Sequence, residues 1–528
     1  MPIDSITYQN SGYFSKLIVD YLNQSPELRS YYNHYPEIAN FKKQIEEKST
    51  SFSAEQRKIV SNALVKQNEK LTLSAATRTN IQLLEKENTF TVITGHQLNL
   101  FTGPLYFIYK IVSTINLCKQ LQKEYPDYHF VPVYWMATED HDFAEINHFQ
   151  CKGGKISWNI PTSGPVGKIT TESLASVLTT FKNALGAGIH AQYLAQLFEE
   201  AYLQQENLAD ATRFLVNELF KDTGLVIIDG DDKSLKELFI PYLKEELTNQ
   251  LSFHKVSETL NNFPYDAQVN PREINLFYME TGLRERIVFE NETYKVLNTN
   301  RSFSSTEILD LVEKVPEKFS PNVILRPLYQ EVILPNLCYI GGGGELAYWL
   351  ELKNMFEAFE VPFPMLLLRN SVVIASEKQV QKADKLVLTW SDLFLKKETL
   401  ITLKTKELSQ FTIDFTEQKD FLKKQFEELK KIASQTEASF TGAVLAQEAK
   451  QIKGLENLEK RLLKAEKRIL QDKLERISQV QEGLFPKQSL QERQLNFSEF
   501  YLEYGNDFLE KLFQVLQPLE NQFEILTF

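Results

Sequence analysis

Cysteine is scarce: Cys118, Cys151 and Cys338 are the three in 528 residues, and they stand far apart. An odd, scattered set argues against a disulfide framework, and the lack of any CxxC pair argues against a thiolate zinc site. Positive charge is also short, with 58 Lys and Arg against 70 Asp and Glu and a formal charge of −12. That balance disfavours non-specific nucleic-acid binding, which needs clustered basic side chains, yet leaves room for a local basic pocket around a small anion. No apolar run is long enough to cross a bilayer. The opening, "MPIDSITYQN", has neither the basic start nor the apolar centre of a signal peptide. No solenoid repeat and no low-complexity tract is evident. The expectation is a reduced, cytoplasmic protein with no membrane and no nucleic-acid partner.

What is present is an ordinary soluble balance, 43% hydrophobic and 24% charged, over a length that favours more than one domain. The first ninety residues read mainly as helix, with Ser53 a plausible cap for "SAEQRKIVSNALVKQNEKL". "FTVIT", Phe90 to Thr94, reads as a short buried strand ending at Gly95. "TGPLYFIYKIVSTINLCKQLQ" follows as a helix. Thr102 is its candidate N-cap, Pro104 sits in the first turn, and Ile108, Ile111, Val112, Ile115 and Cys118 fall on one face. The next strand, "FVPVYWMA", completes a βαβ unit with a right-handed crossover. "GLVIIDGDD" and "FPMLLLR" read as further buried strands. Between about 150 and 320, "REINLFYME" and "RERIVFENETYKVLN" read as antiparallel strands of an insertion. Later, Leu455, Leu458, Leu462, Ala465 and Ile469 repeat at alternating three and four, and the register resumes after a shift at Leu470, Leu474 and Ile477. That spacing fits a coiled coil. The expected fold class is α/β, with a parallel-sheet core over 1–385 and a helical coiled-coil region over 386–528.

Open parallel sheets bind ligands beyond the carboxyl ends of their strands. Three such ends carry polar clusters: Gly95-His96-Gln97, Glu139-Asp140-His141-Asp142, and Asp229 with Asp231 and Asp232. One shared crevice is expected. The acidic and histidine cluster can move protons near neutral pH. Two other readings stand beside that one. His141, Glu145 and His148 would ligate a metal if their segment were helical, although no HExxH is spelled. Asp140 or Asp142 would otherwise cap the next helix. "TGHQLNLFTGP" offers a glycine turn feeding a helix start, suited to phosphate or carboxylate, or simply to a tight turn. In "GGGGEL", Gly341, Gly342, Gly343 and Gly344 let a ligand approach the backbone, with Glu345 in the first helical turn, but neither a P-loop nor GxGxxG is complete. Asn322 and Arg326 lie just ahead. Arg326 either holds a substrate carboxylate or pairs with an internal acid. Lys110 reads as a solvated lysine, and Cys338 as a small buried hydrophobe. The rival functions are a metal-dependent hydrolase using His141, Glu145 and His148, and a non-catalytic coiled-coil scaffold.

"TGHQLNLFTGPLYFIYK", "VPVYWMATEDHDFAEINH", "SPNVILRPLYQEVILPNLCYIGGGGELAYWLELK" and "LFPKQSLQERQLNFSEFYLEYGNDFLEKL" closely resemble the BshC family, cysteine ligases of bacillithiol biosynthesis. The resemblance runs over essentially the whole chain. It implies a Rossmann-like core akin to class I aminoacyl-tRNA synthetases and related nucleotidyltransferases, with connecting-peptide insertions and a coiled-coil domain associated with homodimers. The implied reaction, the last step to bacillithiol, joins L-cysteine to the nitrogen of glucosaminyl malate. ATP or another nucleotide is the implied source of activation, and no metal is implied. The synthetases' HIGH and KMSKS signatures are not spelled. Gly95-His96-Gln97 with Thr102-Gly103-Pro104 stands near the first and "RNSVVIASEK" near the second. On this resemblance His96, Asp140, His141, Asp142 and Glu345 are the expected catalytic residues. Thr94, Gly95, Gln97, Gly103, Pro104, Asn322, Arg326, Gly341, Gly342, Gly343, Gly344 and Tyr348 are the expected substrate or nucleotide contacts. His96, Gln97 and the Gly103-Pro104 helix start would take phosphate or carboxylate. Asp140, His141 and Asp142 would orient the amine and take its proton, while Arg326 and the glycine run frame the second substrate.

Overall fold

Apolar runs, rich in β-branched and aromatic residues except for the Met-Leu-Leu-Leu of the last, make five strands buried along nearly their whole length. They are Thr89–His96 (β1), His129–Met136 (β2), Val226–Asp229 (β3), Asn336–Gly341 (β4) and Met365–Leu368 (β5). The computed structural model describes residues 4–528. The strands pair in parallel in the order β5-β4-β1-β2-β3. Strand order therefore reverses between β1 and β4, and a sheet of this kind binds ligands above that crossover. Thr94 lies inside the seam, where its Oγ1 donates to the Ile340 carbonyl at 2.7 Å. It ties the sheet and does not face the crevice.

Tyr106–Glu124 (α1) links β1 to β2 and buries thirteen of its nineteen residues. One apolar face was expected. The other side is covered by the C-terminal segment, where Asn116 donates to the Phe513 and Leu516 carbonyls at 2.9 and 2.8 Å. Thr102 is not the N-cap. Phe101, Thr102 and Gly103 all take positive φ, and α1 starts only at Tyr106 without a side-chain cap. Tertiary bonds hold this turn instead: Asn496 donates to the Phe101 and Gly103 carbonyls at 2.7 and 2.6 Å, and the Leu105 N–H donates to the Leu495 carbonyl at 2.8 Å. The expected cap at Ser53 does form, as a capping box with Gln56.

The insertion read between 150 and 320 is divided in two by the core strand β3. The first part is a hairpin, His148–Cys151 with Gly154–Ser157, followed by helices Ala175–Leu185, Ile189–Tyr202 and Leu208–Leu219. The second is an antiparallel five-stranded sheet that includes Leu276–Glu280, Leu283–Glu290 and Phe319–Pro321. Leu325–Ile333 (α2) then leads into β4, and Gly343–Trp349 (α3) leaves it.

Ser371–Ala375 pairs in parallel with Gln522–Thr527, which also pairs antiparallel with Asp4–Thr7. Between them Thr416–Ala433 (α4) and Ala438–Ile469 (α5) form a helical hairpin, and Gln471–Leu484 (α6) returns to the core. The register shift at Leu470 is a helix break. α6 buries Leu474, Ile477, Val480 and Leu484, whereas Leu458 and Ile469 of α5 are 53% and 77% exposed. Among the described residues no helix is long and apolar enough to cross a membrane.

Candidate active site

A cleft of about 730 Å³ opens beyond the carboxyl ends of β1, β2 and β4. The sheet supplies Gly95, His96, Trp135, Met136 and Tyr339, and α1 supplies Tyr106 and Lys110. The second insertion contributes Asn270, Arg272, Phe277, Arg284 and Arg286, while Arg326, Glu345 and Tyr348 come from α2 and α3. Seven cations line the space, Lys110, Arg272, Arg284, Arg286, Arg326, Arg369 and Arg493, against the carboxylates Glu139, Asp140 and Glu345. In a chain of net charge −12 this is a local reversal of sign. Guanidinium groups gathered in a half-enclosed site attract anions.

Glu345 is a brace. Its Oε2 lies 2.5 Å from Lys110 Nζ and accepts from the Gly342 N–H at 2.8 Å, and its Oε1 accepts from the Tyr339 hydroxyl at 2.7 Å. Burial pushes its pKa up, but the Lys110 charge and these bonds outweigh that and hold it below the usual carboxylate range. A carboxylate so occupied orients Lys110 and is a poor proton acceptor. Lys110 also donates to the Gly95 carbonyl at 2.8 Å and is 2% exposed, so it is a wall of the cleft and not a solvated lysine. Gly341 is required by packing: a Cβ there would stand 2.8 Å from Leu346 Cδ1 and 3.0 Å from Glu345 Cβ. Gly341 lies just below the cleft, which Gly342, Gly343 and Gly344 line.

His96 packs against the rings of Tyr106 and Phe107 at 5.5 and 5.0 Å. Burial, with Lys110 and Arg369 nearby, drives its pKa well down, and its Nε2 has no hydrogen-bond partner among the described residues. The imidazole is neutral with one hydrogen-bonding nitrogen to spare. Gln97 Nε2 bridges Asp140 Oδ2 and Glu145 Oε2 at 2.8 and 2.9 Å. Asp140 Oδ1 also accepts from the His141 N–H at 2.7 Å.

His141 lies one layer back. Its Nδ1 meets Arg284 Nη1 at 2.6 Å, and Arg284 stacks over Phe277 at 4.0 Å, so the imidazole positions a cleft arginine. Asp142 is exposed and caps the short helix Phe143–Ile146 through the Glu145 N–H at 3.3 Å. It is too far along the loop to orient an amine in the cleft. Gly103 and Pro104 do not line the cleft either, because the segment around Asn496 covers that turn. His141, Glu145 and His148 do not share a helical face, since the helix has four residues and His148 begins a strand. Among the described residues no group of three His, Cys, Asp or Glu could hold a metal ion. None of the third polar cluster lines the cleft, which only the neighbouring Gly230 reaches. Asp229 is half-buried behind it, with desolvation pushing its pKa up to about 6, Asp231 pairs with Lys168 at 2.9 Å, and Asp232 caps the next helix. Burial pushes the Cys338 thiol well up, as befits a small hydrophobe.

Arg326 donates to Gln330 Oε1 at 3.1 Å and to the Tyr348 hydroxyl at 3.2 Å. Among the described residues it forms no contact ion pair, although the Glu345 charge acts on it through space. Asn322 fixes its helix: Oδ1 accepts the Ile324 N–H at 2.9 Å and Nδ2 donates to Asn275 at 2.8 Å. Glu139, named in the strand-end cluster but not among the expected site residues, lines the cleft 2.5 Å from Lys236 Nζ with its pKa raised by burial. Its place in "TEDHD" was a usable signal. Arg272, Arg284 and Arg286 carried no local signal.

Fold and site define a Rossmann-type α/β protein with a cation-lined cleft at a strand crossover. The family model described as the N-terminal Rossmann-like domain of bacillithiol biosynthesis BshC matches residues 1–370, and that of the BshC C-terminal coiled-coil domain matches 372–528. The chain belongs to the BshC family of bacillithiol biosynthesis. Relatives named "Putative cysteine ligase BshC" include one from Flavobacterium johnsoniae, 60% identical over 100% of both chains. Another, from Christiangramia forsetii, is 53% identical over 100% of this chain and 99% of its own. Among solved structures, a chain titled as a putative arginyl tRNA synthetase from Campylobacter jejuni is similar at a TM-score of 0.24 and 10% identity, covering 88% of this chain and 95% of that one. The Rossmann-like assignment rests on the strand order and the family match.

Proposed function

We propose that the chain is a cysteine ligase that joins the carboxyl group of L-cysteine to the amino group of glucosaminyl malate, forming bacillithiol. The observation that carries this reading is the cation-rich crossover cleft, with Arg326 in no contact ion pair among the described residues, in an acidic chain. Glucosaminyl malate presents two carboxylates and cysteine presents one, and guanidinium groups bind such groups in pairs. Arg326, Arg272 and Arg286 are the malate-side contacts of this reading.

Amide formation also requires that the amine lose a proton and that a carboxylate oxygen become a leaving group. Asp140, steadied by Gln97, and Glu139, raised by burial, are the acceptors for the proton. A nucleoside triphosphate would supply the leaving group. Lys110, Arg369 and Arg493 would hold its phosphates; Arg369 pairs with Glu492 at 2.6 Å through Nη2, and its buried Nε, which has no partner among the described residues, fits that part. Neutral His96 would bond the acyl oxygen. A second copy of the chain would dock on the hairpin, where Phe421 and Ile432 are 65% and 57% exposed.

The test is to incubate the purified protein with L-cysteine and glucosaminyl malate, with and without ATP, and to look for the condensed thiol by mass. Product that depends on the protein supports the reading. No product under either condition, from folded protein, overturns it.

A further inference from the structure

We infer that Gln330 is a positioning residue that holds Arg326 with a neutral group and so keeps its charge available to the substrate carboxylate. The inference rests on the anion-binding reading of the cleft given above. Arg326 and Gln330 stand four apart on α2, a spacing at which side chains meet and at which a Glu would form an ion pair with Arg. The position instead holds an amide, whose Oε1 accepts from Arg326 Nη1 at 3.1 Å.

The amide cannot turn around. Gln330 Nε2 donates at 3.0 Å to Glu331 Oε1, and a carboxylate accepts only. A flipped amide would set NH₂ against the guanidinium and oxygen against the carboxylate, losing both bonds. Glu331 is in turn kept from claiming Arg326. Its Oε2 lies 2.6 Å from Lys48 Nζ, and its Oε1 also accepts from Asn336 Nδ2 at 2.6 Å. Lys48, Gln330, Glu331 and Asn336 are all at most 1% exposed. Water therefore has little part in the chain of bonds, and each link is made within the protein. Lys48 neutralises the acid, the acid orients the amide, and the amide aims the arginine. Tyr348, the other partner of Arg326, is neutral as well.

The experiment measures L-malate binding to the full-length protein by calorimetry, so it needs no turnover. Arg326→Met, Gln330→Glu and Gln330→Leu are compared with the parent, with thermal melting as a check on folding. Gln330→Glu places an anion on Arg326 and weakens malate about tenfold or more. Gln330→Leu, which adds no charge beside Glu331, leaves the arginine unaimed and weakens malate about threefold. In turnover, Gln330→Leu raises KM for glucosaminyl malate and leaves KM for cysteine and kcat within twofold, a split that a general loss of structure would not give. If Arg326→Met weakens malate while both well-folded Gln330 variants bind it like the parent, the inference fails and the cleft reading survives. If the parent binds no malate, or Arg326→Met binds it equally well, the cleft reading fails and takes the inference with it.

Discussion

An arginine within a largely apolar helix is costly unless something takes its charge. The hydrogen bonds of Arg326 among the described residues go to neutral side chains, so Arg326→Met is expected to remove a charge-assisted contact of about 1.5–3 kcal/mol and raise KM for glucosaminyl malate about tenfold or more. Steady-state kinetics checks this, and an unchanged KM contradicts it. Two neighbouring acids separate cap from site. Asp142→Ala is expected to leave kcat within twofold, since it loses one N-cap bond on a four-residue helix, whereas Asp140→Ala lowers kcat at least tenfold. Equal effects would contradict the division. Glu351 bears on stability. It is buried, accepts from the Gln268 and Val269 N–H groups at 2.7 and 3.1 Å, and burial pushes it up to about 7. Its folded pKa exceeds its unfolded value, so the folded state keeps a proton that the unfolded state releases. Its contribution is full below the unfolded value and is lost as pH rises through about 7. Relative to Glu351→Gln, the parent should lose about 2–3 kcal/mol in urea unfolding between about pH 4.5 and about pH 8. A difference independent of pH would contradict this.

At the scale of elements, the turn from β4 into α3 carries the brace. Gly341→Ala is expected to push Leu346, Tyr339 and Glu345 apart, costing about 1–3 kcal/mol and loosening Lys110. A lower midpoint in denaturant together with reduced turnover is the expected outcome, and an unchanged midpoint contradicts it. The strands and their polar ends were legible because buried parallel strands are spelled locally, in β-branched runs stopped by glycine or acid. From the sequence Lys110 reads as a solvated lysine although it stands in a largely apolar helix, because the segment 495–516 that covers this helix lies some four hundred residues away in sequence. The same distance hides why Gly103 and Pro104 are closed off and why Thr102 caps nothing. Arg272, Arg284 and Arg286 reach the cleft only through the packing of an inserted sheet over the core, and no periodicity within that sheet announces it. Asp142 and His141 looked equivalent to Asp140 because one-residue steps around a turn point side chains in different directions.

For the whole molecule, the acidic surface and basic cleft make association with anions depend on ionic strength. Phe421 and Ile432 leave apolar surface exposed on the hairpin, the face proposed above for a second chain. Light scattering is expected to give a dimer that Phe421→Glu with Ile432→Glu converts to monomer, and a monomeric parent would contradict that arrangement. On the function proposed above, the substrate sits at the crossover between β1 and β4. An experimental structure of the protein with glucosaminyl malate bound tests that most directly. The account predicts the malate carboxylates against Arg326 and the inserted arginines, with the amine toward Asp140. Substrate lodged anywhere else, such as the surface groove beside Lys182 and Glu199, would contradict it.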